Sequence, residues 1–133
     1  MTKNPPQFDA EKYKESTLQQ WNTAAEAWHR WGPLLNRWLG PATEVMFDMC
    51  DIENGSRVLD VAAGAGEQTL AVAKRVGDEG QVLATDISAD ILRYAAASAK
   101  LAGMNNVQTQ VVDGENLSEL IAEPFDAVIS RVG

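Results

Sequence analysis

Val58-Leu59-Asp60-Val61-Ala62-Ala63-Gly64-Ala65-Gly66-Glu67-Gln68-Thr69-Leu70 decides the fold of this chain. It opens as a short apolar run holding one acid, breaks at Gly64 and Gly66, and resumes with helix-forming residues. That order predicts a strand, a glycine turn and a helix, with the turn open to close approach by a ligand. The first N–H groups of the helix have no intrahelical partner and face that ligand.

Downstream, strand and helix patterns alternate. Strand one is expected over Arg57–Ala62, followed by a helix from Gly66 to about Val76, with Gly77 able to cap it. Strand two, Gln81–Thr85, closes at Asp86; Ser88 suits the N-cap of a second helix carrying Ile91, Leu92, Ala95, Ala96 and Ala99. Strand three, Val107–Val112, closes at Asp113-Gly114, a short helix is expected over Leu117–Ile121, and strand four runs from Phe125 to Ser130. Strand–helix–strand repeats predict parallel pairing with right-handed crossovers and a sheet covered on both faces. The glycine turn, Asp86, Asp113 and Ser130 then share the carboxyl edge, where such sheets bind ligands. This much reads as a nucleotide-like ligand over strands one and four.

Upstream, a helix is expected from about Asp9 to Trp31, with Leu18, Trp21, Ala25 and Trp28 on one face. Gly32-Pro33 stops it; a short helix to Trp38, a break at Gly40-Pro41 and a third helix should follow, with Asn54-Gly55 a turn. Asn4-Pro5-Pro6 is read as a mobile start. Residues 1–54 are thus expected to be a helical cover on the lid and substrate side, and 55–133 a ligand-binding core.

The 133 residues carry a net charge of −8, which argues against a phosphate-backbone partner. No apolar run approaches the roughly 20 residues of a membrane span, and the polar start lacks a signal peptide's apolar region. One cysteine, Cys50, precludes an internal disulfide and a cysteine-based metal site. The expectation is a cytoplasmic protein without a metal.

Three motifs in order resemble the class I S-adenosylmethionine-dependent methyltransferases. They are the Asp60–Gly66 turn, Ala84-Thr85-Asp86-Ile87-Ser88, and Val112-Asp113-Gly114-Glu115-Asn116-Leu117. Phe125–Ser130 resembles the family's fourth strand, and the Asp-Val-Ala-Ala-Gly variant with an aromatic N-terminal helix is most similar to small-molecule members of the ubiquinone and menaquinone type. The resemblance implies a Rossmann-like α/β fold of strand order 3-2-1-4, truncated after strand four, with S-adenosylmethionine as cofactor. It implies that Ala62, Ala63, Gly64 and Gly66 approach the methionine part and that Asp60 orients its ammonium, directly or through water. Asp86 would accept the ribose hydroxyls, Ile87 would pack on adenine, and Asp113 with the Gly114 N–H would meet the adenine amino edge. Ser130 would lie at the methionine end. Ala62 departs from the glycine that many members carry.

Each residue also has a plainer reading. Asp60 needs a partner inside an apolar strand, Asp86 could serve only as a cap, and Asp113 only as a turn residue. Trp21, Trp28, Trp31 and Trp38 read first as packing and second as a lid, with Trp21 and Trp28 the substrate candidates. His29 and Tyr13 read as helix-surface residues before bases, and Cys50 as a small buried hydrophobe. The expected function is methyl transfer to a small-molecule acceptor, with no nucleic acid partner. The alternatives are a non-catalytic cofactor-binding fragment, favoured by the stop at Gly133, and a nicotinamide-dependent dehydrogenase. The uncovered strand-four side predicts a homo-oligomer.

Overall fold

The computed structural model describes residues 5–132; the expected mobile start is outside it at Asn4, as is Gly133. The elements run α1 (Ala10–Arg30), α2 (Gly32–Met49), β1 (Arg57–Val61), α3 (Glu67–Val76), β2 (Gln81–Asp86), α4 (Ala89–Leu101), β3 (Val107–Val111), a 3-10 turn over Gly114–Glu119, and β4 (Ala127–Ile129). The strands form one parallel sheet of order β3-β2-β1-β4. This is the Rossmann-like order expected from the sequence.

Local chemistry sets the helix ends. Asp9 caps α1 by accepting from the Lys12 N–H at 3.1 Å, and Ser88 caps α4 by accepting from the Ile91 N–H at 3.2 Å. Just past the other end of α1, Gly32 leaves room for the Glu67 carboxylate, which a Cβ at that position would meet. The break expected at Gly40-Pro41 does not occur, and α2 runs through Pro41. Proline removes one backbone donor from the helix. The helix survives because Phe47 is fully buried beneath it, and that packing outweighs one lost bond.

Parallel register puts Val58 beside Val82 and Ala127, and Leu59 beside Leu83 and Val128. Neighbouring positions point to opposite faces. The Val58 row packs with Phe47, Val72, Ala73 and Val76 from α2 and α3 in the main core. The Leu59 row faces the other way, and there Val128 is 57% exposed. Leu59 in the middle of that row is buried, so cover on this face fails at β4, the strand-four side expected to be uncovered. Two right-handed crossovers that step in the same direction, β1 to β2 to β3, deliver α3 and α4 to one face. That asymmetry leaves β3 almost wholly exposed as well.

Helix α1 lies across the carboxyl edge of the sheet. Its Ala25 packs on Ala65 of the glycine turn and on Ile91 of α4, with Trp28 and Tyr94 beside them. Asn22 accepts from the Ser88 hydroxyl at 2.6 Å, and Lys14 pairs with Asp113 at 2.7 Å. One helix is thus pinned to the ends of β2 and β3 by side chains from two of its turns.

Candidate functional site

The carboxyl edge opens into a cleft of about 290 Å³. Its floor is the backbone from Val61 to Gly64, and Asp86, Ile87, Ile91, Val112, Asp113 and Gly114 line one side. Trp21 and Trp28 of α1, Leu35 of α2, Glu67 of α3, and Arg131 and Val132 beyond β4 complete the lining.

The turn needs its glycines for two different reasons. Gly64 has φ 65° and a Cβ there would meet only one atom, Ile91 Cδ1 at 3.9 Å, so its requirement is the left-handed backbone. Gly66 has φ 103°, and a Cβ would lie 2.9 Å from the Cα and Cβ of Ala95. This glycine allows the close approach of α3 to α4. Ala62 also takes positive φ, 54°, without being glycine.

Asp86 faces the cleft with its carboxylate already oriented. One oxygen accepts from the Gly64 N–H and the other from the Ser88 N–H, each at 3.0 Å. A carboxylate has about four lone-pair sites, so acceptor capacity remains for a ligand. Asp113 accepts from the Glu115 N–H at 3.0 Å and from Lys14, whose ammonium holds this acid below the usual carboxylate range. Ile87 and Val112 give the same end apolar walls. Two carboxylates flanking an apolar slot suit a group with hydroxyl and amino donors around a flat ring.

Asp60 stands elsewhere. It is fully buried and accepts from Thr69 Oγ1 at 2.8 Å and from Gln68 Nε2, both in the first turn of α3. Burial pushes its carboxyl up to about 6, against the opposing pull of those hydrogen bonds and of Arg131. Asp60 does not line the cleft, so its contribution there is to fix the start of α3 behind the turn. Burial likewise raises Glu67, opposed by the charges of Arg131 and His29.

Ser130 is also outside the cleft. Alternation along β4 buries Ala127 and Ile129 and turns Val128 and Ser130 outward. The next residue, Arg131, turns back to the edge. Of the tryptophans, Trp21 and Trp28 form a wall with ring centroids 5.8 Å apart, while Trp31 and Trp38 are exposed. His29 stacks on Tyr94 at 4.7 Å and Tyr13 is exposed, and neither lines the cleft. The sequence reading missed Arg131, Glu67 and Leu35. A charged residue just past a strand end was the available signal for Arg131.

Comparison with known proteins decides the family. A methyltransferase domain model matches residues 52–132, more than half of the chain and the whole of the sheet. The chain belongs to the class I S-adenosylmethionine-dependent methyltransferases.

Among relatives of this methyltransferase domain, the ribosomal RNA small subunit methyltransferase F of Escherichia coli is 36% identical over 73 residues, covering 55% of this chain and 15% of the relative. A crystal structure of a SAM-dependent methyltransferase from Aquifex aeolicus is 30% identical, with TM-score 0.50, covering 53% of this chain and 38% of that one. The structure of CrArsM, an arsenic(III) S-adenosylmethionine methyltransferase from Chlamydomonas reinhardtii, is 35% identical with TM-score 0.52, covering 59% and 29%. The chain therefore spans well under half the length of each of these proteins.

The ribosomal RNA relative corrects the expected partners, a small-molecule acceptor with no nucleic acid. A net charge of −8 is a property of the whole chain and does not report the potential at one cleft mouth. Among the described residues no helix is long and apolar enough to cross a membrane. The residues of the cleft fit S-adenosylmethionine, since Asp86 retains free acceptor sites beside an apolar slot and Gly64 leaves open space above the turn.

Proposed function

We propose that this cleft binds S-adenosylmethionine, with its adenosine over β2 and β3, and that the chain serves methyl transfer to an acceptor arriving beneath α1 and α2. The observation that supports the reading most is that the glycine turn, Asp86 and Asp113 line one cleft. In this reading Asp86 accepts the ribose hydroxyls, Ile87 and Val112 sandwich the adenine, and Asp113 with the Gly114 N–H meets its amino edge. The backbone of Ala62, Ala63 and Gly64 passes under the methionine end, and Gly66 and Asp60 hold that backbone in shape. The helices before residue 54 form the cover and acceptor side, and the remainder forms the cofactor core.

When bound, the cofactor supplies an electrophilic methyl carbon on a positively charged sulfur. Asp86 and the backbone of Ala62, Ala63 and Gly64 would hold the cofactor so that this methyl carbon is offered to an acceptor. Alignment and water exclusion carry such a step, so no side chain has to act as a base. Trp21 and Trp28 supply a wall that excludes water and offers aromatic faces to a cation.

Calorimetric titration tests the cofactor assignment. S-adenosylhomocysteine should bind saturably and NAD should not; the reverse would return the dehydrogenase reading. A labelled-methyl assay then surveys acceptors. RNA and arsenite both belong in it, because relatives are named for each. Binding without label transfer to any acceptor would favour a chain that holds the cofactor without catalysis.

A further inference from the structure

We propose that Arg131, set by Thr43, is the carboxylate-binding residue for the amino-acid end of the cofactor; this rests on the cofactor reading above. Arg131 Nη1 donates to Thr43 Oγ1 at 2.6 Å. Thr43 is 2% exposed, and its hydroxyl donates in turn to the Leu39 carbonyl at 3.0 Å. A hydroxyl has one proton, so giving it to Leu39 leaves an oxygen lone pair that must face the guanidinium. The side chain is therefore held in one orientation by a buried group of α2.

What that orientation leaves over is the informative part. Arg131 Nε is buried and has no hydrogen-bond partner among the described residues. A buried N–H without an acceptor costs about 1–3 kcal/mol, which a protein rarely tolerates without a use. Nε and Nη2 form the guanidinium edge that grips a carboxylate with two parallel bonds. The nearby acids do not take that role. Asp60 spends its oxygens on Gln68 and Thr69, and Glu67 is placed against Gly32.

Position along the cleft selects the ligand group. Asp86 and Asp113 stand at the ends of β2 and β3, on one side of the glycine turn. Arg131 stands beyond β4, on the other side of β1. A ligand with adenosine at the acids crosses the turn and brings its far end to Arg131. In this cofactor that end carries a carboxylate.

The test compares two ligands that differ only by that group, S-adenosylhomocysteine and its decarboxylated analogue, on the full chain and on variants. Arg131→Met should weaken S-adenosylhomocysteine roughly tenfold to a hundredfold and leave the decarboxylated ligand unchanged. Arg131→Lys should recover part of the loss. Thr43→Val should reproduce a smaller selective loss, and Thr43→Ser should restore it, which a packing role would not require. Equal losses for both ligands would overturn the proposal, because the arginine would then be structural. No loss for either would also overturn it and give the guanidinium to an anionic acceptor. Wild type that binds neither ligand overturns the cofactor reading itself, a result distinct from either of these.

Discussion

At the β2–β3 end of the cleft, two carboxylates stand on strand ends, each held by a backbone N–H from its own turn. At the β4 end, Arg131 from beyond β4 meets Thr43 of α2, and its charge acts on Glu67 of α3, all from distant stretches of chain. The first end is local in part: each acid takes one bond within its own turn, and a second from farther off, from the Gly64 N–H for Asp86 and from Lys14 of α1 for Asp113. The second end exists only after the helices dock. Arg131, for instance, is set by Thr43, 88 positions away. Between them lies the glycine turn, which must keep its shape for either end to work.

The largest effect should come from breaking that shared centre. Gly66→Ala would put a Cβ into Ala95 and force alanine to φ 103°. Overpacking costs about 1–3 kcal/mol and the left-handed backbone about 1–2 more. A stability loss near ~3 kcal/mol is expected in denaturant unfolding, together with loss of both ends of the cleft. A loss under ~1 kcal/mol would show that α4 yields and that the close approach is not demanding.

The turn also has a pH signature. Asp60 is pushed up to about 6 by burial, from an ordinary 3.8. The folded state therefore favours the protonated acid. This group's contribution is fully present below about pH 4 and is lost as pH rises through 6. Two pK units correspond to about 3 kcal/mol. Replacing the acid by its amide, Asp60→Asn, should remove that slope. The stability of wild type minus variant should fall between pH 4 and 7, and a flat difference would mean the carboxylate is better solvated than its surroundings imply.

These two cases separate what was legible from what was not. The change from helical to strand periodicity at Arg57, and the acids after β2 and β3, are local patterns, whereas the strand order came from the family resemblance. Trp21 and Trp28, seven apart, share a helix face and were placed together correctly. Three things depended on tertiary context. Pro41 is carried inside α2 because packing of that helix outweighs one missing bond. The placement of α3 and α4 on one face follows from crossover direction, which no window of sequence reports. Ser130 was expected at the methionine end, but alternation along β4 turns it outward, and Arg131 is the next residue that lines the cleft.

The adenosine end can be tested alone. Asp86→Ala should remove charge-assisted bonds worth about 1.5–3 kcal/mol, or roughly tenfold to a hundredfold in S-adenosylhomocysteine affinity. The variant also frees the Gly64 and Ser88 N–H groups, so Asp86→Asn, which keeps one acceptor, should lose less. Equal affinity in wild type and both variants would move the ribose away from this acid.

The smallest effect concerns Ala62, the residue at which the turn departs from glycine. Its φ of 54° puts an L side chain in the left-handed region. That costs on the order of 1 kcal/mol, which glycine would not bear. Glycine, however, loses more freedom on folding, by roughly 0.5–1 kcal/mol relative to alanine. The two terms nearly cancel, so Ala62→Gly should leave stability within about 0.5 kcal/mol of wild type. The adjacent Ala63 has no such strain to relieve and is buried against Ala84 and Leu92, so Ala63→Gly should lose at least ~1 kcal/mol. Thermal unfolding of the pair, run side by side, reads the difference directly. If both variants lose the same amount, the positive φ at Ala62 carries no strain, and the turn tolerates alanine for a reason other than a balance of these two terms.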